Sequence, residues 1–87
     1  MKLSREDQKT IPIIDTHQHL WNLNLLKLDW LNEQPYNQLT KNYLLDDYAL
    51  ATQGHNICKT IYMEVDVRPE QFMVEIEFIL DLCRNKQ

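Results

Sequence analysis

The first apolar residues to cluster are Ile11, Ile13 and Ile14, beside Pro12, in a run that ends in Asp15-Thr16-His17-Gln18-His19. Consecutive apolar positions predict a strand buried on both faces, as in parallel sheets. Pro12 fits near the start of that strand, where its missing N–H costs least. Between residues 20 and 42 the pattern dissolves, with Asn, Leu and Lys mixed among Trp21, Trp30, Pro35 and Tyr36. A loop of that length in a small domain is uncommon and often functional. Periodicity returns over 44–53, where Leu45, Tyr48 and Thr52 form one stripe flanked by Leu44 and Ala51. Asp46 and Asp47 sit in the first turn of this helix, where its dipole favours negative charge. Gly54 follows at the position where a left-handed residue closes a helix. Residues 60–65, Thr-Ile-Tyr-Met-Glu-Val, are β-rich and predict a second buried strand. Pro69 then opens a helix where its missing N–H is harmless. Phe72, Ile76, Ile79 and Cys83, widened by Met73 and Leu80, predict the stripe that packs on the sheet.

Strands alternating with helices predict an α/β fold with parallel pairing and crossover helices. The 87 residues suffice for one domain, with 1–10 as a polar lead-in and 11–87 as the folded part. Nine Lys and Arg against 13 Asp and Glu give a net charge of −4, which argues against nucleic acid as a partner. A single glycine excludes Gly-rich phosphate loops. No apolar run approaches the roughly 18 residues of a membrane span, and residues 1–8 lack the apolar core of a signal peptide. Cys58 and Cys83 lie far apart, without C-x-x-C spacing, and read as reduced packing residues. These features point to a cytoplasmic protein with no membrane partner.

His17 and His19 are the strongest chemical feature. Side chains two apart on a strand share a side, so both imidazoles can converge on one divalent ion at the strand's carboxyl end. Asp15 has the same parity and is a candidate to orient one ring as a hydrogen-bond acceptor. The plainer alternative is that two histidines fall near a strand end by chance. His55, in the connection entering the second strand, reads as a solvated loop residue. Glu64, near the end of the second strand beside Asp66, is the candidate catalytic carboxylate; the alternative is that both acids simply favour the helix opened by Pro69. Trp21 and Trp30 are candidate substrate-binding walls, or else the apolar anchors that keep their loop folded.

The run Ile13-Ile14-Asp15-Thr16-His17-Gln18-His19-Leu20-Trp21 resembles the opening of the amidohydrolase superfamily, in its amidohydrolase-2, sugar-lactonase-like branch. The resemblance continues through Asp29-Trp30-Leu31 and through residues 59–67. It implies the first two βα units of a (β/α)8 TIM-barrel metal-dependent hydrolase, truncated, since such a barrel takes about 250 residues. It also implies His17 and His19 as metal ligands, with zinc or manganese as the cofactor. A small-molecule lactone or related ester or amide would be the substrate, although some relatives decarboxylate aromatic acids instead. The family's further ligands have no counterpart here, so the expectation is a chain that is not catalytically competent alone. Its open sheet edges would favour self-association. The different-class alternative is a small non-catalytic binding or assembly module.

Overall fold

The computed structural model describes residues 9–85. Most of the polar lead-in lies outside them; Lys9 and Thr10 are exposed. Strand β1 spans Pro12–Gln18 and strand β2 spans Asn56–Tyr62. They pair in parallel in a two-stranded sheet, with Pro12 opposite Asn56, Asp15 opposite Thr60 and Gln18 opposite Tyr62. Between them lie two short 3-10 turns, Asp29–Asn32 and Tyr36–Leu39, and helix α1, Leu45–Ala51. A 3-10 turn at Pro69–Gln71 leads into helix α2, Phe72–Asn85. The mixed α/β class and the parallel pairing therefore match the sequence expectation. No helix among the described residues is long and apolar enough to cross a membrane.

Helix α1 starts where expected, because the Asp47 carboxylate accepts the Leu44 N–H at 2.8 Å and so satisfies one of the helix's orphan donors. Leu45, Tyr48 and Thr52 are half-buried, as their shared stripe requires. Gly54 adopts φ +93 after the helix. A Cβ built there meets nothing within 4 Å, so only the backbone conformation resists substitution. Gly54→Ala is expected to cost about 1 kcal/mol in chemical denaturation; an unchanged midpoint would show that the turn relaxes freely.

The core does not lie on the sheet. Leu20, Trp21, Leu26, Leu28 and Leu31 of the long loop pack with Val65, Val67 and Phe78, beyond the carboxyl ends of the strands. Leu26 is 1% exposed, the most completely buried of them. Pairs of polar contacts brace this loop. Trp21 and Tyr43 exchange main-chain hydrogen bonds of 2.9 and 3.0 Å. The Gln71 amide accepts the Lys27 N–H and donates to the Leu25 carbonyl. Arg68 grips Asp29 through Nε and Nη2 at 2.8–3.0 Å. The segment read from sequence as patternless is therefore a packed structural unit.

Four expectations need correction. The second strand is Asn56–Tyr62 rather than 60–65. Its last ladder bond is Met63 N–H to the Gln18 carbonyl, 2.8 Å, where β1 ends; Val65 and Val67 then turn into the loop core instead of continuing a strand. The first strand is not buried on both faces, since Ile14 is 59% exposed and Ile11 is exposed too. Cys58 and Cys83 are exposed free thiols rather than packing residues. Finally, of the expected stripe Phe72, Met73, Ile76, Ile79, Leu80 and Cys83, all but the half-buried Ile79 are exposed. Helix α2 buries Glu75 and Phe78, with Ile79 and Leu82 half-buried alongside. The apolar arc of this helix spans both edges, and the core takes the edge that contains Glu75. That acid is tolerated because its carboxylate accepts the Tyr62 hydroxyl at 2.6 Å and the Val65 N–H at 3.1 Å.

Candidate functional site

Strand geometry brings the two histidines together. His17 and His19, two residues apart at the end of β1, have ring centroids 4.7 Å apart and an interplanar angle of 73°. Both are exposed. Gln18, between them, is buried on the other side with the α2-facing residues, as period-two alternation demands. The His19 Nδ1 lies 3.1 Å from the Met63 carbonyl oxygen. A carbonyl only accepts, so Nδ1 is the donor in that contact and Nε2 is the ring atom left to face a ligand. This is the arrangement in which a second hydrogen bond aims a ligating imidazole.

Asp15 acts differently from the expectation. Its carboxylate hydrogen-bonds neither ring; it accepts the Tyr48 hydroxyl at 2.7 Å and the His17 main-chain N–H at 3.1 Å. It thus ties helix α1 to the strand that carries the histidines and fixes the backbone at His17. The Tyr48 hydrogen bond, then the His17 N–H, holds the Asp15 carboxyl below the ordinary carboxylate range. Burial, and the same bond to Asp15, pushes the Tyr48 phenol up to about 12. A depressed carboxyl pKa stabilises the fold above its unfolded value, 3.8, and that contribution is lost as pH falls through the lower folded value. The raised phenol contributes fully below its unfolded value of 10.0, and its contribution is lost as pH rises through about 12. Tyr48→Phe is expected to return the Asp15 carboxyl toward its ordinary pKa in a carbon-13 titration. An unmoved Asp15 would mean the bond is not formed in solution.

Beside His19 opens a hollow of about 510 Å³. It is lined by the apolar Trp21, Trp30, Tyr36 and Leu39 together with Glu64, Val65 and Asp66. Its tryptophans belong to a chain of edge-to-face rings, Tyr43 to Trp21 at 5.1 Å, Trp21 to Trp30 at 5.6 Å and Trp30 to Tyr36 at 5.8 Å. Both indole N–H groups are engaged, Trp21 with the Lys41 carbonyl and Trp30 with the Val65 carbonyl, each at 2.8 Å. The tryptophans therefore both line the hollow and hold the loop. In the same lining, the Glu64 carboxylate accepts the Asp66 N–H at 2.8 Å. Asp66 itself stands at φ +57, a left-handed conformation that aspartate tolerates better than most residues.

The fold thus gathers His19, Trp21, Trp30 and Glu64 around one hollow, with His17 against His19. His55 is exposed ahead of β2, at the other end of the sheet. Tyr36 and Leu39 were not singled out from sequence; only the cluster of aromatics in the loop hinted at them. The buried Tyr62–Glu75 pair was missed as well, although Glu75 is spaced to share a helix face with Phe78 and Ile79. Two imidazoles suit a divalent ion, but among the described residues no three His, Cys, Asp or Glu side chains group closely enough to enclose one.

A solved structure shows the chain to be an amidohydrolase-like segment. Amidohydrolase 2 from Bifidobacterium longum subsp. infantis matches with a TM-score of 0.60 and 33% identity, over 87% of this chain and 29% of that one. Among curated proteins, uncharacterized protein y4mH of Sinorhizobium fredii is 32% identical over 66 residues, 68% of this chain and 22% of that protein. The chain spans less than a third of the length of either relative. No protein-family profile matches it.

Proposed function

We propose that the chain forms the first two βα units of a (β/α)8 metal-dependent hydrolase of the amidohydrolase kind. His17 and His19 would supply two of the ligands for a zinc or manganese ion. The observation that carries this is the edge-to-face imidazole pair at the carboxyl end of β1, the end where parallel α/β proteins place their chemistry. A divalent ion bound there supplies Lewis acidity, which activates water and polarises the carbonyl of a lactone or related ester or amide. The chain's own residues do the rest. His19 is aimed through the Met63 carbonyl, Asp15 and Tyr48 fix the strand beneath His17, and the aromatic lining excludes water from part of the hollow. Glu64 stands where it can contact substrate.

Two protein ligands fall short of the three that a catalytic zinc ordinarily has, so the chain alone is expected to bind an ion without turning over. The exposed Ile14 and Ile61 on the sheet favour self-association through its open edges. The test is to assay lactone hydrolysis by the chain with added Zn²⁺ or Mn²⁺, with sizing and circular dichroism on the same sample. No His17-dependent turnover is expected. Turnover by a folded monomer that vanishes in His17→Ala would show the two units to be a complete enzyme and overturn this part of the reading.

A further inference from the structure

Helix α2 is apolar over more of its surface than the core covers. Glu75, Phe78, Ile79 and Leu82 take the buried arc, whereas Met73, Ile76, Leu80 and Cys83 are exposed, with Phe72 beside them. The exposed set recurs at intervals of three, four and three residues, the spacing of an a/d seam between paired helices. Met73 is 64% exposed and Ile76 49%. An apolar stripe of roughly a few hundred Å² left in water marks an interaction surface. Charge runs along one edge of it. Glu70 just ahead of the helix, Glu77 and Arg84 follow one another at seven-residue steps, two turns of helix each. All three are exposed, and Arg84 has Asp81 at 4.0 Å.

We propose that this stripe is a pairing surface for a second copy of the chain, with the two α2 helices antiparallel. A two-fold axis at the level of Phe78 sets Met73 of each copy against Cys83 of the other, and Ile76 against Leu80. The same arrangement brings Arg84 of each copy beside Glu70 of the other and opposes the two helix dipoles. The charge pattern is thus complementary to itself only when the helices run in opposite directions. A parallel pair would set Glu77 beside Phe72 and Arg84 beside Ile79, and would gain no ion pair between copies. In the antiparallel pair Glu77 meets its own counterpart near the axis, a like-charge contact that limits affinity. Five apolar residues from each copy make a small interface, of the transient class. Pairing through α2 needs neither an ion nor the open edges of the sheet, so it stands apart from the hydrolase reading.

Sedimentation velocity of the full chain is expected to show reversible monomer–dimer exchange with a midpoint of about 30 µM. Ile76→Lys, at an exposed position, is expected to raise that midpoint about tenfold or more while circular dichroism stays unchanged. Thiol bridging reads the orientation. In the antiparallel pair the two Cys83 residues stand about 15 Å apart along the helix axes, beyond the reach of a disulfide. With Cys58→Ser removing the other thiol, oxidation by diamide is expected to leave Cys83 unbridged. Adding Met73→Cys is expected to give a covalent dimer, because position 73 faces Cys83 of the other copy. A chain that stays monomeric at about 300 µM, ten times the expected midpoint, would overturn the proposal. So would a dimer unaltered by Ile76→Lys, which would be held elsewhere, a dimer bridged through Cys83 alone, or no bridge with Met73→Cys.

Discussion

Replacing Glu75 by alanine is expected to lower the unfolding free energy by about 1–3 kcal/mol, a large share of the roughly 5–15 kcal/mol available to a domain. Glu75 is only 6% exposed, yet it lies on the face of α2 that packs into the core. Its carboxylate is the acceptor for the Tyr62 hydroxyl and the Val65 N–H. Alanine removes that acceptor from both; the Tyr62 hydroxyl keeps the Leu20 carbonyl at 3.1 Å, but the buried Val65 N–H is left orphaned, at a cost of about 1–3 kcal/mol. Burial, together with the Glu75 carboxylate, pushes the Tyr62 phenol far above its ordinary range. Glu75→Gln retains an acceptor and is expected to lose less. Glu77→Ala, exposed on the same helix, is expected to change stability by no more than about 0.5 kcal/mol. Urea denaturation of the three variants separates these outcomes. If Glu75→Ala behaved like Glu77→Ala, the buried network would not form in solution.

The second large effect concerns the imidazole pair. His17→Ala or His19→Ala is expected to weaken Zn²⁺ or Co²⁺ binding by about tenfold or more, with little change in stability, because both rings are exposed. His55→Ala is the matched control and is expected to leave the affinity unchanged. Calorimetric titration reads all three. Met63 contributes through its main-chain carbonyl, so substituting its side chain is expected to leave ion binding near that of the parent.

Local signals were legible where one element decides its own shape. Asp46 and Asp47 in the first turn of α1, Gly54 at positive φ and Pro69 at the start of a turn all sit where their chemistry places them. The pairing of His17 with His19 was legible for the same reason, since strand alternation alone puts them on one side. What the sequence hid depends on partners distant along the chain. Val65 reads as a strand residue, but its place is set by packing against Trp30 and Phe78, more than ten residues away in each direction. The buried edge of α2 was concealed because a glutamate lies in it, and only Tyr62 and the Val65 N–H make that glutamate a core residue. The long loop looked patternless because its leucines pack with one another and with 65–67 rather than along a helix or strand. Tyr36 enters the hollow only through that packing.

The central claim is that His17 and His19 jointly hold one divalent ion. The most direct test is the nitrogen-15 spectrum of the imidazole side chains as Zn²⁺ is added to the full chain. The account predicts that one ring nitrogen of each of His17 and His19 shifts together as the ion binds. For His19 that nitrogen should be Nε2, with Nδ1 remaining protonated toward the Met63 carbonyl. His55 should stay where it was. A shift at only one of the pair, at neither, or first at His55 would contradict it.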